Sequence, residues 1–167
     1  RYDRAREACI VGMETKGSGA SITYTLDGSE PRMASTRYES ELVFNQPATI
    51  AARAFKGDIA SDAIARVVIH PSLASGKPLV LATPFSPRYP AGGADALVDG
   101  LKGTTNHKDG FWQGYEGTDL EAVVDLGQKI PLRTVASDYL QDTQTWIFYP
   151  TAVEYFVSDD GAAFVRI

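Results

Sequence analysis

The chain has 167 residues, 44% of them hydrophobic, a share that supports a packed core and argues against a disordered polymer. No apolar run reaches eighteen residues, so no membrane-spanning helix is expected. The net charge of −5 is uneven: residues 1–76 carry nine basic and nine acidic side chains, and residues 77–167 carry seven and twelve. An acidic second half argues against nucleic acid, whose phosphates need clustered Lys and Arg, and suits a cation or a neutral sugar.

Taken in order, residues 8–14 are apolar enough for a strand. The single cysteine, Cys9, cannot form an internal disulfide, and its apolar neighbours mark a buried, inert thiol. Lys16 to Gly19 is a turn. Ile22, Tyr24 and Leu26 then alternate with Thr23 and Thr25, the period of a half-buried strand. Asp27-Gly28 ends it and Pro31 enforces the break. Thr49–Phe55 predicts a strand with Ile50, Ala52 and Ala54 on one face, and Ala65–Ile69 predicts another. Short strands separated by regular turn signals indicate an all-β sandwich.

Pro71 to Pro78 is small, polar and proline-bracketed, and the charge balance changes across it. It predicts a module over 1–72, an exposed linker over 73–78 and a second module over 79–167. In the second module, strands are expected at Glu121–Leu126, Leu132–Tyr139 and Val153–Ser158, the last turning through Asp159-Asp160-Gly161 into Phe164–Ile167. Trp146 precedes Ile147-Phe148-Tyr149, which reads as core. No amphipathic helix of three turns is expected. The abrupt opening at Arg1-Tyr2-Asp3 and the strand-like close are those expected of part of a longer polypeptide.

The run Ile22-Thr23-Tyr24-Thr25-Leu26-Asp27-Gly28-Ser29-Glu30-Pro31, with Ser35, Tyr38, Phe44, Ala52 to Phe55, Gly57 and Ser61, resembles the chitobiase/β-hexosaminidase C-terminal module. The resemblance implies a small immunoglobulin-like β-sandwich, and the run itself reads as turn chemistry. In the second half, Ala96-Leu97-Val98-Asp99-Gly100, Thr104, Trp112, Leu120 to Gly127, Trp146 and Val153 to Gly161 with Phe164 resemble the discoidin family, the coagulation-factor V/VIII type C domains, which overlaps the family-32 carbohydrate-binding modules. That resemblance implies a β-jelly-roll sandwich, truncated here, with binding loops at one end. The order of the two modules is similar to the C-terminal region of a family-20 glycoside hydrolase, a secreted or periplasmic β-N-acetylhexosaminidase. Such enzymes work through an adjacent Asp-Glu pair. No Asp-Glu dipeptide occurs in this chain, nor a phosphate-binding loop, a Gly-x-Ser-x-Gly or a dinucleotide fingerprint, so a non-catalytic accessory region is expected. Its partners would be a carbohydrate and an upstream catalytic domain. A free-standing lectin-like module and a purely structural docking module are the alternatives.

Three sets of residues are candidate sites. The discoidin resemblance implies a structural calcium held by Asp99, the Leu101 carbonyl and Thr104; without an ion the same turn is an ordinary Asx turn. His107 and Trp112 lie in a polar, Gly-rich loop, and Tyr139, Gln141 and Trp146 in a second. Sugar sites pair an aromatic face with polar side chains. Trp112 reads equally as a buried ring at the sandwich edge, and His107 as a solvated loop residue. Two histidines and one cysteine make a zinc site an unsuitable reading.

Overall fold

The period-two segments of the first half become strands where they are expected, and the computed structural model describes every residue from Arg1 to Ile167. The strands are β1 (Tyr2–Asp3), β2 (Ala8–Val11), β3 (Ser21–Thr25), β4 (Thr36–Arg37), β5 (Leu42–Phe44), β6 (Ala48–Lys56), β7 (Ile59–Ala60) and β8 (Ala65–Ile69). The second half adds β9 (Leu79–Leu81), β10 (Leu101–Lys102), β11 (Ala122–Val124), β12 (Phe156–Val157) and β13 (Val165–Arg166). The only helical segments are single 3-10 turns, Ala96–Val98 and Thr143–Thr145. The fold is all-β, as expected.

Two antiparallel sheets face each other in the first half. One has the order β1-β2-β5. The other runs β10-β8-β6-β3-β4, with β7 added against β6. Between them lie Cys9, Ile50 and Ile69, all essentially inaccessible, ringed by Tyr2, Val11, Met13, Tyr24, Leu42, Phe44, Val67 and Leu101. Burying an isoleucine of this kind stabilises by about 1.5–3 kcal/mol. The alternation read in β3 is only half of its arrangement. Tyr24 packs on the core, but Thr23 on the opposite face is also buried, while Leu26 is exposed. The outer face is covered by the stretch after β3, where the Thr23 hydroxyl donates to the Arg32 carbonyl at 2.9 Å and Pro31 is fully buried. In that stretch the Asp27 carboxylate accepts from both the amide and the hydroxyl of Ser29, and these bonds hold its pKa below the usual value. Glu30 pairs with Arg53 at 2.6 Å, and Ser35 accepts the Arg32 amide. The DGSEP run is thus a hydrogen-bonded turn that roofs the sheet.

The segment expected as an exposed linker is tied down. Ser75 is buried and its hydroxyl accepts the Ser72 amide; the Gly76 amide donates to Val98 at 2.7 Å. Beyond it the chain returns to the first sheet: β10 pairs antiparallel with β8, Leu101 opposite Ile69. Leu101 then completes the core from the far side of the linker. Close approach at this seam demands glycine. Gly100 lies at φ +74°, and a Cβ there would stand 2.8 Å from Cys9 Sγ and 3.3 Å from Ser75 Oγ. Cys9 Sγ in turn lies 3.5 Å from the Asp99 carbonyl, and burial pushes its thiol pKa up.

Elsewhere the second half has two two-stranded ladders, β9–β11 and β12–β13. The β12–β13 hairpin turns through Asp159-Asp160-Gly161 as expected, with the Asp160 carboxylate capping the Ala162 and Ala163 amides. Two expectations fail. Leu132–Tyr139 is not a strand, because no partner strand lies beside it; its polar members find side-chain partners instead, Asp138 with Lys102 and Ser137 with Tyr139 and Tyr155. Phe148 and Tyr149 are exposed rather than core, because that segment also lacks a sheet to pack on.

The seam makes a prediction. Native protein at about pH 8 should leave Cys9 unmodified by a thiol reagent, with full reaction in denaturant. Gly100→Ala should cost roughly 1–3 kcal/mol in urea unfolding, through an unfavourable φ and overpacking. It should also accelerate native-state labelling of Cys9. Labelling of the wild-type thiol as fast as a free cysteine would contradict the seam.

Candidate functional site

Asp99 lies where the chain comes back to the first sheet. Its Oδ1 accepts the Leu101 amide at 2.8 Å, the Asx turn that launches β10. Burial raises its carboxyl pKa to about 6, only partly offset by the Leu101 amide. Against a free aspartate near 3.9, the folded state binds the proton more tightly, so ionising Asp99 costs stability as pH rises from about 4 to about 6. The residue faces a hollow of about 270 Å³ shared with Arg4 and Asp95, and Arg4 pairs with Asp95 at 3.2 Å rather than with Asp99. Oδ2 makes no hydrogen bond within the protein. Thr104 is engaged elsewhere: its amide and hydroxyl both donate to Asp109 Oδ2, at 2.6 and 2.8 Å. No group of three His, Cys, Asp or Glu side chains gathers anywhere in the chain.

The loop after β10 is fastened by Trp112. Its indole Nε1 donates to the Thr104 carbonyl at 2.7 Å, and the ring lies over Gly103, where any Cβ would fall inside it. Asp109 caps the same loop from within, taking the Phe111 amide on its other oxygen. Trp112 is therefore a partly covered staple. His107 is displayed by this loop toward the second candidate loop, with Nδ1 3.5 Å from Asp142 Oδ2.

The second loop closes on itself. Asp142 and Ile147 exchange two backbone hydrogen bonds of 3.0 Å, and the 3-10 turn Thr143–Thr145 lies between them. Trp146 ends the turn in the left-handed region, at φ 61°. Bulky residues rarely adopt that conformation, at a cost of order 1–3 kcal/mol. Here it turns the indole outward: Trp146 is 83% exposed. Phe148 stands edge-on to it, the ring centroids 6.3 Å apart and the planes at 84°. Gln141 is exposed beside them in sequence. Tyr139 is half-buried, its hydroxyl taken by Ser137.

The structure thus brings His107 to the Trp146 loop and uses Trp112 to brace the loop that carries His107. The Asp99 turn belongs to a different hollow. A cleft of about 490 Å³ opens between the two sheets over Ile22, Ala52, Ala54, Ala65 and Val67, and none of His107, Trp112, Tyr139, Gln141 or Trp146 lines it. Phe148 is the site residue that sequence reasoning assigned to the core. The signal that finds it is the tight turn two residues before it, which leaves no strand to bury it.

The acids of the two loops, Asp109 and Asp142, face a backbone turn and an imidazole. No curated protein matches the chain. Residues 5–66, which take in β2 through the start of β8, match the family model of the chitobiase/beta-hexosaminidase C-terminal domain, and this sandwich of the chain is similar to that accessory domain of glycoside hydrolases.

Proposed function

We propose that the chain is a non-catalytic accessory region of a β-N-acetylhexosaminidase-like glycoside hydrolase, secreted or periplasmic, and that the Trp146 loop holds carbohydrate. The observation that carries the carbohydrate reading is Trp146 itself, an exposed indole held by a strained but hydrogen-bonded loop. A flat aromatic face takes the C–H face of a pyranose, and His107, Gln141 and Asp142 offer polar groups to hydroxyls. Holding glycan beside a catalytic domain raises the local substrate concentration without new chemistry.

A second reading, docking against another protein body, is favoured by a different observation. Phe148, Tyr149, Val153, Phe156 and Val165 are all exposed. If these side chains form one contiguous patch, it would suit contact with another protein surface.

The first test is a titration of soluble N-acetylglucosamine oligomers followed by tryptophan fluorescence and calorimetry, beside an assay with a chromogenic N-acetylglucosaminide. Binding without turnover is expected. Trp146→Ala should weaken binding at least tenfold, the effect of losing a stacking face worth about 1.4 kcal/mol or more. Trp146→Ala should leave the melting temperature nearly unchanged, since the exposed indole makes only the edge contact with Phe148 and alanine keeps the same backbone conformation. No binding by the wild-type chain would leave the docking reading; turnover would overturn the accessory reading.

A structural calcium at Asp99, the Leu101 carbonyl and Thr104 forms part of the same proposal. Its support is the open oxygen of Asp99, with no arginine or lysine paired to it. Coordination would require the Thr104 hydroxyl to turn away from Asp109. An ion bound only by the folded state raises the melting temperature by mass action. Calcium is expected to raise it relative to chelator, and Asp99→Asn to remove the difference. Identical melting of the wild-type chain in calcium and chelator would leave a plain Asx turn.

A further inference from the structure

We propose that the hollow beside the Asp99 turn is a second carbohydrate site, one that takes a single neutral sugar unit. Its walls come from both halves of the chain. Tyr2 and Arg4 belong to β1 and the turn after it; Gly76, Gly92, Asp95 and Asp99 belong to the stretch that returns to the first sheet. Ligand hollows gather where two such bodies meet. At about 270 Å³ it is smaller than a drug-sized site, which suits one ring and not an oligomer. The hollow shares no residue with the Trp146 loop. It goes beyond that reading and takes from it only the class of ligand.

Two glycines shape the hollow. A Cβ on Gly76 would collide with the Tyr2 ring, so glycine is what lets that ring form a wall. A Cβ on Gly92 would stand 3.0 Å from Asp99 Oδ2. Gly92 therefore keeps uncovered the one Asp99 oxygen that takes no hydrogen bond from the protein. The Leu101 amide on Oδ1 fixes the direction in which the carboxylate points. A half-buried carboxylate oxygen without a donor has lost water and gained nothing in return, so a ligand hydroxyl that donates to it is favoured. The rise of the Asp99 pKa to about 6 has the same cause, burial. Arg4, paired with Asp95 at 3.2 Å, sets a guanidinium and a second carboxylate at the rim. Hydroxyls donate to carboxylates and accept from guanidinium N–H groups, so a neutral polyol satisfies both. The Tyr2 ring offers its C–H groups an apolar wall.

The test is an NMR titration of the ¹⁵N-labelled full chain with the monosaccharide N-acetylglucosamine at about pH 7.5, where Asp99 is ionised. Chelator keeps calcium off the same oxygen. The amides of Gly76, Gly92 and Leu101 should shift together, with an affinity on the order of millimolar, ordinary for a ligand of about fifteen heavy atoms. Gly92 lies outside the left-handed region, so Gly92→Leu should melt close to the wild type while covering Oδ2. It should weaken the sugar at least tenfold. Asp99→Asn keeps an oxygen for the Leu101 amide and should weaken the sugar about threefold or more, since a neutral amide replaces the charged acceptor. It also serves as the check if Gly92→Leu melts low. Trp146→Ala should leave the three shifts intact; their loss in that variant would overturn the hollow as the site. So would a wild-type chain whose hollow amides stay still at tens of millimolar sugar, or shifts that survive both Gly92→Leu and Asp99→Asn. Shifts that appear only in calcium overturn direct capture by Asp99. Monosaccharide binding in the hollow while no oligomer engages Trp146 supports the hollow and removes the Trp146 reading.

Discussion

The return of Asp99–Lys102 onto the first sheet is the constraint on which the rest of this structure depends. It places Leu101 against the core of Cys9, Ile50 and Ile69 and lays β10 along β8. It also sets the starting point of the loop that carries His107 and Trp112. The return is possible because Gly100 has no side chain to strike Cys9 and Ser75, and because the Asp99 carboxylate turns the chain through the Leu101 amide. A two-residue strand contributes few hydrogen bonds. What holds it is the burial of Leu101 and the close fit at glycine, terms that act only when both halves are folded.

That dependence explains which features were legible in sequence. β3, β6 and β8 are long enough for period two to declare them, and β2 declares itself as an apolar run at Ala8–Val11. The Asp27–Pro31 turn was legible as turn chemistry because its partners are local. Thr23 was not, because burial of its face depends on a roof folded back from Arg32. Nor was β10: Leu101-Lys102 has no pattern of its own, and its pairing is set by a sheet more than thirty residues earlier. Leu132–Tyr139 shows the converse, a pattern with no neighbouring strand to realise it. Among the site residues, Trp112 was readable in both of its senses, and the ring's contact with Gly103 selects the bracing one. His107 and Trp146 were legible as loop residues, but their proximity through Asp142 was not.

Local rigidity in the Trp146 turn and weak anchoring behind it serve one arrangement. Two backbone bonds and a 3-10 turn fix the indole relative to Asp142. Outside the turn, Asp138 pairs with Lys102 of β10 and Asp142 lies 3.5 Å from His107. A loop built this way takes its shape from bonds within it and its placement from contacts outside it.

The pairing of β10 with β8 also bears on how this polypeptide can be divided. The family match ends at residue 66, and sequence alone would place a cut near residue 72. A chain severed there would lose the strand that covers β8, leaving its free amides and carbonyls as a template for a neighbouring molecule. It would lose Leu101 from the core as well, and uncover the Cys9 sulfur. The sandwich excised on its family boundary would thus be an aggregation-prone body with a reactive thiol at its open edge. The strand that covers β8 comes from residues 101–102, well beyond the end of the family match.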